Sequence, residues 1–193
     1  MPHVAAALRR HPGFAAMPLQ EPRQTLRATV IGAGAHTLSL SGSTIWLNYG
    51  QLPLRNIPVI QPGLGEAEGD DPATLAAAWE LSARRLDLDP ARALYALALP
   101  ADLPVTYRSV VHCAEALAGF AQRHPNSQHP LIVIARQDFG KALGMELQPR
   151  LAGRELAVID EVVTRDGDYV DIGKSYFGGE IVPLTVKSLA FPS

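Results

Sequence analysis

The chain has 193 residues, long enough for one domain, or one domain plus an appended piece, that hides roughly 70% of its unfolded surface. Hydrophobic residues are 47% and charged residues 19%, which excludes wholesale disorder. Seventeen basic against nineteen acidic side chains give a net charge of −2, which argues against a basic footprint for nucleic acid or an anionic membrane surface.

The single cysteine, Cys113, has no internal partner, which fits a reducing compartment. No run approaches the roughly 18 apolar residues that span a bilayer. Residues 1–14 lack the apolar core of a secretory leader, since Arg9 and Arg10 follow a short apolar run. The expectation is a soluble cytoplasmic protein. Sixteen glycines and sixteen prolines point to many turns and short elements.

In chain order, residues 3–10 suit a helix ended by Pro12 and Gly13. Two prolines make 17–23 extended. A strand-like run at 26–31 is broken by Gly32 and Gly34, and short strands at 38–41 and 44–47 flank a tight turn at Gly42-Ser43. Residues 52–60 contain Pro53 and Pro58 and read as an edge strand or connector. Residues 61–72 are rich in glycine and acid and form the clearest linker. Asp71 then caps a helix that has Pro72 in its first turn and runs to about Leu86.

From there the pattern becomes regular: strand 93–99, helix 105–123, strand 131–135, short helix 139–147 with Asp138 as its cap, and strand 156–159. The run LIVIA at 131–135 is apolar throughout, as a strand buried on both faces should be. This alternation predicts an α/β fold with a mixed sheet and βαβ crossovers. Asp166-Gly167 signals a hairpin turn, and the last strand, 181–191, is interrupted or initiated at Pro183.

Two strand ends invite a search for ligand chemistry. Gly32 and Gly34, followed by His36 and Thr37, would let backbone approach a phosphate, or would form a bend where backbones pack closely. The third glycine of a dinucleotide loop is absent, because Thr37 stands in its place. Asp138 and Lys141 follow LIVIA and open a helix, where open sheets place ligands. They suit an anion, or simply a capped helix with a solvated lysine. Asp166, Asp168 and Asp171 read as turn carboxylates in water rather than a metal site. His124 and His129 share a loop without further ligands, and Cys113 reads as a small buried hydrophobe. No catalytic residue and no metal ligand is assigned.

The stretches RATVIGAGAHT (27–37), LRNIPV (54–59), QDFGKALGM (137–145), GDYVDIG (167–173) and VKSLAF (186–191) resemble the ethanolamine ammonia-lyase reactivating factors of ethanolamine utilization. The resemblance covers nearly the whole chain. It implies the C-terminal portion of an actin/Hsp70-like ATPase that uses ATP and Mg to release damaged cobalamin from the lyase, so that intact adenosylcobalamin rebinds. It further implies residues 1–60 as the end of an actin-like lobe, 61–71 as a linker and 72–193 as a C-terminal α/β module. The cell compartment implied is the cytoplasm, with a bacterial microcompartment as a place of association. The family's Asp-Ile-Gly-Thr type phosphate loops and Gly-Gly adenosine motif are missing. Asp171-Ile172-Gly173-Lys174 is similar to the first loop, with Lys174 in place of Thr. The chain alone is therefore expected to bind no cofactor and hydrolyse no ATP, with the lyase as partner and self-association through exposed apolar surface. Two alternatives stand beside this: a free-standing Rossmann-like nucleotide binder using Gly32, Gly34 and Lys141, and a protein–protein docking module.

Overall fold

The computed structural model describes residues 35–41, 45–63, 71–179 and 181–188. The expected helix at 3–10, the extended run at 17–23, the strand at 26–31, Gly32, Gly34, the Gly42-Ser43 turn, most of the linker and 189–191 lie outside the described residues.

Among the described residues there are eight strands: β1 (Ala35–Ser41), β2 (Trp46–Asn48), β3 (Leu54–Ile60), β4 (Ala96–Ala98), β5 (Leu131–Ile134), β6 (Leu156–Ile159), β7 (Asp168–Ile172) and β8 (Val182–Ser188). Three α-helices lie between them, α1 (Pro72–Arg85), α2 (Tyr107–Arg123) and α3 (Gly140–Leu147). All eight strands form one mixed sheet in the order β1-β8-β7-β3-β4-β5-β6-β2. The run β3-β4-β5-β6 is parallel and follows chain order. Each crossover helix therefore steps the same way and lands on the same face, as one-handed βαβ connections require.

That face is buried by Leu75, Ala76, Trp79 and Ala83 of α1, a spacing that makes one helical stripe, together with Cys113, Leu117 and Phe120 of α2 and Leu143 and Leu147 of α3. They pack on Ile60, Leu97, Leu131, Val133, Leu156 and Val158. The alternate residues of the same strands, Val59, Ala96, Ala98, Ile132, Ile134, Ala157 and Ile159, enter a second core with Val170, Ile172, Val182, Leu184 and Val186. LIVIA is thus buried on both faces, as its composition predicts.

What covers the second face is the sheet itself. Flat, an eight-stranded sheet would hold its edges roughly 34 Å apart, at about 4.8 Å per strand spacing. Yet β1 and β2 are those edges, and the five residue steps from Ser41 to Trp46 reach at most about 18 Å. The sheet must therefore curl, and Ile45, just before β2, and Leu47 of β2 pack into the same core as Val182 and Leu184 of β8.

Several local expectations change. The strands flanking Gly42-Ser43 do not pair as a hairpin: β1 pairs with β8, and β2 with β6, at opposite edges. β3 is interior rather than an edge strand, lying between β7 and β4. A register shift between Leu54 and Ile57, with Asn56 at φ 54°, and a β4 ladder that begins only at Val59 accommodate Pro58 there. Residues 61–71 stand between β3 and α1 in chain order, and the strands on either side of that crossover, β3 and β4, pair in parallel. Asp166-Gly167 does make a turn, with Gly167 at φ 80° and Asp168 N–H donating to Arg165 O at 3.1 Å. Residues 160–165 before it form no strand, and β7 pairs with β3 and β8 instead.

The turn carboxylates are not all solvated. Asp168 is buried and accepts from Ser188 Oγ at 2.6 Å and from Arg165 N at 2.8 Å. Asp171 accepts from Asn56 N at 2.7 Å and pairs with Lys187 at 2.5 Å. Partial burial raises the Asp171 carboxyl, but the Asn56 and Lys187 hydrogen bonds more than offset it and hold it below the usual carboxylate range. The Asp171-Ile172-Gly173-Lys174 stretch thus closes β7 at Ile172 and leaves it, with Gly173 N–H donating to Pro183 O at 2.8 Å.

Cys113 is fully buried on α2, and desolvation pushes its thiol up to about 12. A disulfide reagent at pH 8 is expected to leave it unmodified in the folded chain and to titrate one thiol after denaturation. Rapid native labelling would contradict this packing.

Candidate functional site

In an open parallel sheet, ligands and partners meet the carboxyl ends of the strands. Here that edge is built by the residues after β3, β4, β5 and β6. Gln137, after β5, donates through Nε2 to Pro100 O at 3.3 Å, Ala101 O at 2.8 Å and Leu103 O at 3.3 Å. It pins the loop after β4, while its own Oε1 is buried without a hydrogen-bond partner.

The first turn of α3 is capped from a distance. Its N-cap position is Phe139, with no side-chain cap bond, and Asp138 points to solvent. Asp160, wholly buried at the end of β6, instead accepts from Gly140 N–H at 2.8 Å. The expected Asp138 cap is therefore replaced by a carboxylate twenty-two positions further along the chain. The first amide of α3 is therefore already engaged by a carboxylate.

Beside this end lies a groove of about 530 Å³ between the starts of α2 and α3. Val110, Phe139 and Ala142 contribute apolar surface to it, and Asp138 and Lys141 contribute the charges. Val105 (65% exposed), Tyr107 (73%) and Met145 (61%) also line it, three of the large apolar side chains that the chain leaves in water. Tyr107 is steadied by its hydroxyl, which donates to Glu146 Oε2 at 3.3 Å. Hydrogen bonding from Arg150 in turn holds Glu146 below the usual carboxylate range. Exposed apolar patches bordered by charge are commonly found where proteins meet partners. Among the described residues, no group of three or more His, Cys, Asp or Glu is placed to hold a metal ion.

The structure brings Asp138 and Lys141 together on this groove. His36 and Thr37 lie in β1, where their backbones pair with Lys187 and Val186. Ala35 pairs with Ser188, which pairs with Asp168, so β1 begins at the sheet end where β3 finishes. Between β1 and β5, however, lie β8, β7, β3 and β4. Thr106, Tyr107 and Met145 carry no local signal of a site in the sequence. Tyr107 reads as an ordinary helix residue until α2 and α3 are seen side by side.

The class these features define is a helix-covered, curled α/β sheet with an exposed apolar groove. Comparison with known proteins gives the family. The family model described as Ethanolamine utilisation protein EutA matches residues 2–192, and the chain belongs to that family. It is 59% identical over 192 residues to the ethanolamine ammonia-lyase reactivase EutA of Salmonella typhimurium and 58% identical to that of Escherichia coli. Each match covers 100% of this chain and 39% of the relative, so the chain spans about two fifths of their length. No solved structure matches. Among the described residues, no helix is long and apolar enough to cross a membrane.

Proposed function

We propose that this chain serves in the reactivation of ethanolamine ammonia-lyase, supplying a recognition surface to a longer factor that performs the nucleotide chemistry. The observation that carries the reading is the match along essentially the whole chain to two proteins named as reactivases of that lyase. In this reading the complete factor is an actin/Hsp70-like ATPase. It spends ATP with Mg to expel damaged cobalamin, and adenosylcobalamin then rebinds to the lyase. The work is conformational, and the organic chemistry stays with the lyase. The factor acts in the cytoplasm, with a bacterial microcompartment as a place of association.

This chain's own part is read from its carboxyl edge. Asp160 occupies the amide of α3 that an anion would take, and the groove offers Tyr107 and Met145 to a protein surface. Tyrosine and methionine are favoured at the centres of such contacts.

The test uses the 193-residue chain with lyase inactivated by a damaged cobalamin. The expected result is association with the lyase, weakened about tenfold or more by Tyr107→Ala with Met145→Ala, together with no ATP turnover and no reactivation by the chain alone. Micromolar ATP binding with turnover would overturn the division of labour. Failure to associate with the lyase, or self-association through the same side chains in sedimentation, would overturn the assignment of the groove.

A further inference from the structure

Met145 stands on the side of α3 that the core does not use. Leu143 and Leu147 are buried, and two residues of helix carry Met145 round to the other face. Its side chain is 61% exposed and lines the α2–α3 groove with Val105, Tyr107 and Ala142.

The described residues hold two sulfur atoms, those of Cys113 and Met145, in opposite settings. The thiolate is the form of cysteine that oxidants attack. Cys113 has no exposed surface and a thiol pushed up to about 12, so it offers almost no thiolate and no access. A thioether has no proton to lose. Its sulfur lone pair is nucleophilic at every pH, and its reactivity follows exposure. Among the described residues, oxidation is therefore steered away from the cysteine and into the groove.

There it changes the surface. A methionine serves a contact by being apolar and pliable, and its sulfoxide is polar and chiral. Val105, Val110, Phe139 and Ala142 offer the new oxygen no side-chain donor. Lys141 does: it lies four residues before Met145 on α3, the spacing of neighbours on a helix surface, and forms no ion pair among the described residues. An apolar partner that covered the sulfoxide would strip it of water and give nothing back.

We infer that Met145 is an oxidative modification site, at which a peroxide turns the α2–α3 groove from apolar to polar. The sulfur lone pair attacks one peroxide oxygen, the S–O bond forms as the O–O bond breaks, and the departing oxygen takes up the transferred oxygen's proton. The thioether is oxidised by two electrons to the sulfoxide, and hydrogen peroxide is reduced to water. Methionine sulfoxide reductases reverse the step, oxidising two thiols to a disulfide and releasing water. Only the consequence for the lyase rests on the reactivation reading; the chemistry at the groove does not.

The experiment treats the folded 193-residue chain with hydrogen peroxide and follows peptide masses and retention on a hydrophobic-interaction column. The peptide that carries Met145 is expected to gain one oxygen while Cys113 stays unmodified. Retention is expected to fall, and to return after treatment with methionine sulfoxide reductases for both epimers and dithiothreitol. Met145→Leu, treated alike, isolates what Met1 and Met17 contribute and is expected to lose most of the shift. Resistance of Met145 in the folded chain under conditions that oxidise it fully after denaturation would overturn the inference. So would an equal shift in the wild-type and Met145→Leu chains. In a second arm, the oxidised chain is expected to bind the lyase several-fold more weakly than the untreated chain, with recovery after the reductases. Equal binding would overturn the effect on the groove. Absence of lyase binding by the untreated chain would overturn the reactivation reading instead, and masses and retention would still decide the oxidation site.

Discussion

Gly144→Ala is expected to destabilise the chain by about 3 kcal/mol, within the upper range for overpacking a tight interface. In an exposed helix the same change would stabilise, because alanine exceeds glycine in helix propensity by about 1 kcal/mol. Position 144 is different because α3 lies directly on Trp46 of β2. A Cβ built there would stand 2.0 Å from Trp46 Cγ, 2.2 Å from its Cβ and 2.6 Å from its Cδ2. Those atoms are near the root of the side chain, so no rotation of the indole clears them. Trp46 is also held from both ends. Its backbone pairs with Val158, and its Nε1 donates to Gln148 Oε1 at 3.3 Å, an acceptor shared with Asn48 Nδ2 at 3.2 Å. Either β2 must leave β6 or α3 must lift from the sheet. Urea unfolding of Gly144→Ala checks the sign, and combining it with Trp46→Ala should return a large part of the loss, since the two share one contact. A neutral or stabilised single variant would show that α3 does not rest on this tryptophan.

Gly144 also shows where a sequence stops speaking. A glycine inside a helical pattern signals weakness or close packing, and nothing local says which. The features that are legible are those whose cause is local. Asp71 caps α1 as expected, accepting from Thr74 N at 2.9 Å, because an N-cap needs only three residues of chain. The strand at 156–159 and the helix through Arg123 follow from composition and period. The cap of α3 is not the adjacent Asp138 for the converse reason, since the carboxylate that takes Gly140 N–H comes from the end of another strand. The partners of β1 and β2 are hidden for the same reason: a turn dipeptide says nothing of pairing, and the curl of the whole sheet decides which edges the strands join. Of the groove, Asp138 and Lys141 were visible as residues beside a strand end. Val105 and Tyr107 were not, because their exposure depends on α2 packing beside α3.

Trp79→Ala is the substitution expected to cost most, about 3–5 kcal/mol, the range for truncating a buried aromatic. Trp79 has no exposed surface. From the middle of α1 it fills the space between that helix, α2 and the sheet, and it meets Phe120 edge to face with ring centroids 6.1 Å apart. Phe120 is shared with Tyr95 at 6.1 Å and with His124 at 4.8 Å, so a void at Trp79 loosens the aromatic cluster that fastens α2 to the start of β4. The indole is also tied to the sheet: Nε1 donates to Ala98 O at 2.8 Å, at the last residue of β4. Two variants separate these contributions. Trp79→Phe keeps most of the apolar volume and loses the donor, so about 1–3 kcal/mol is expected, the cost of depriving a buried carbonyl of its hydrogen bond. Trp79→Ala adds the cavity. Against a typical total of about 5–15 kcal/mol, the alanine variant should unfold at much lower urea and lose the near-ultraviolet signal of the aromatic cluster. Equal losses in the two variants would assign the whole effect to the hydrogen bond, and a loss below about 1 kcal/mol in Trp79→Ala would remove α1 from the core that positions β4.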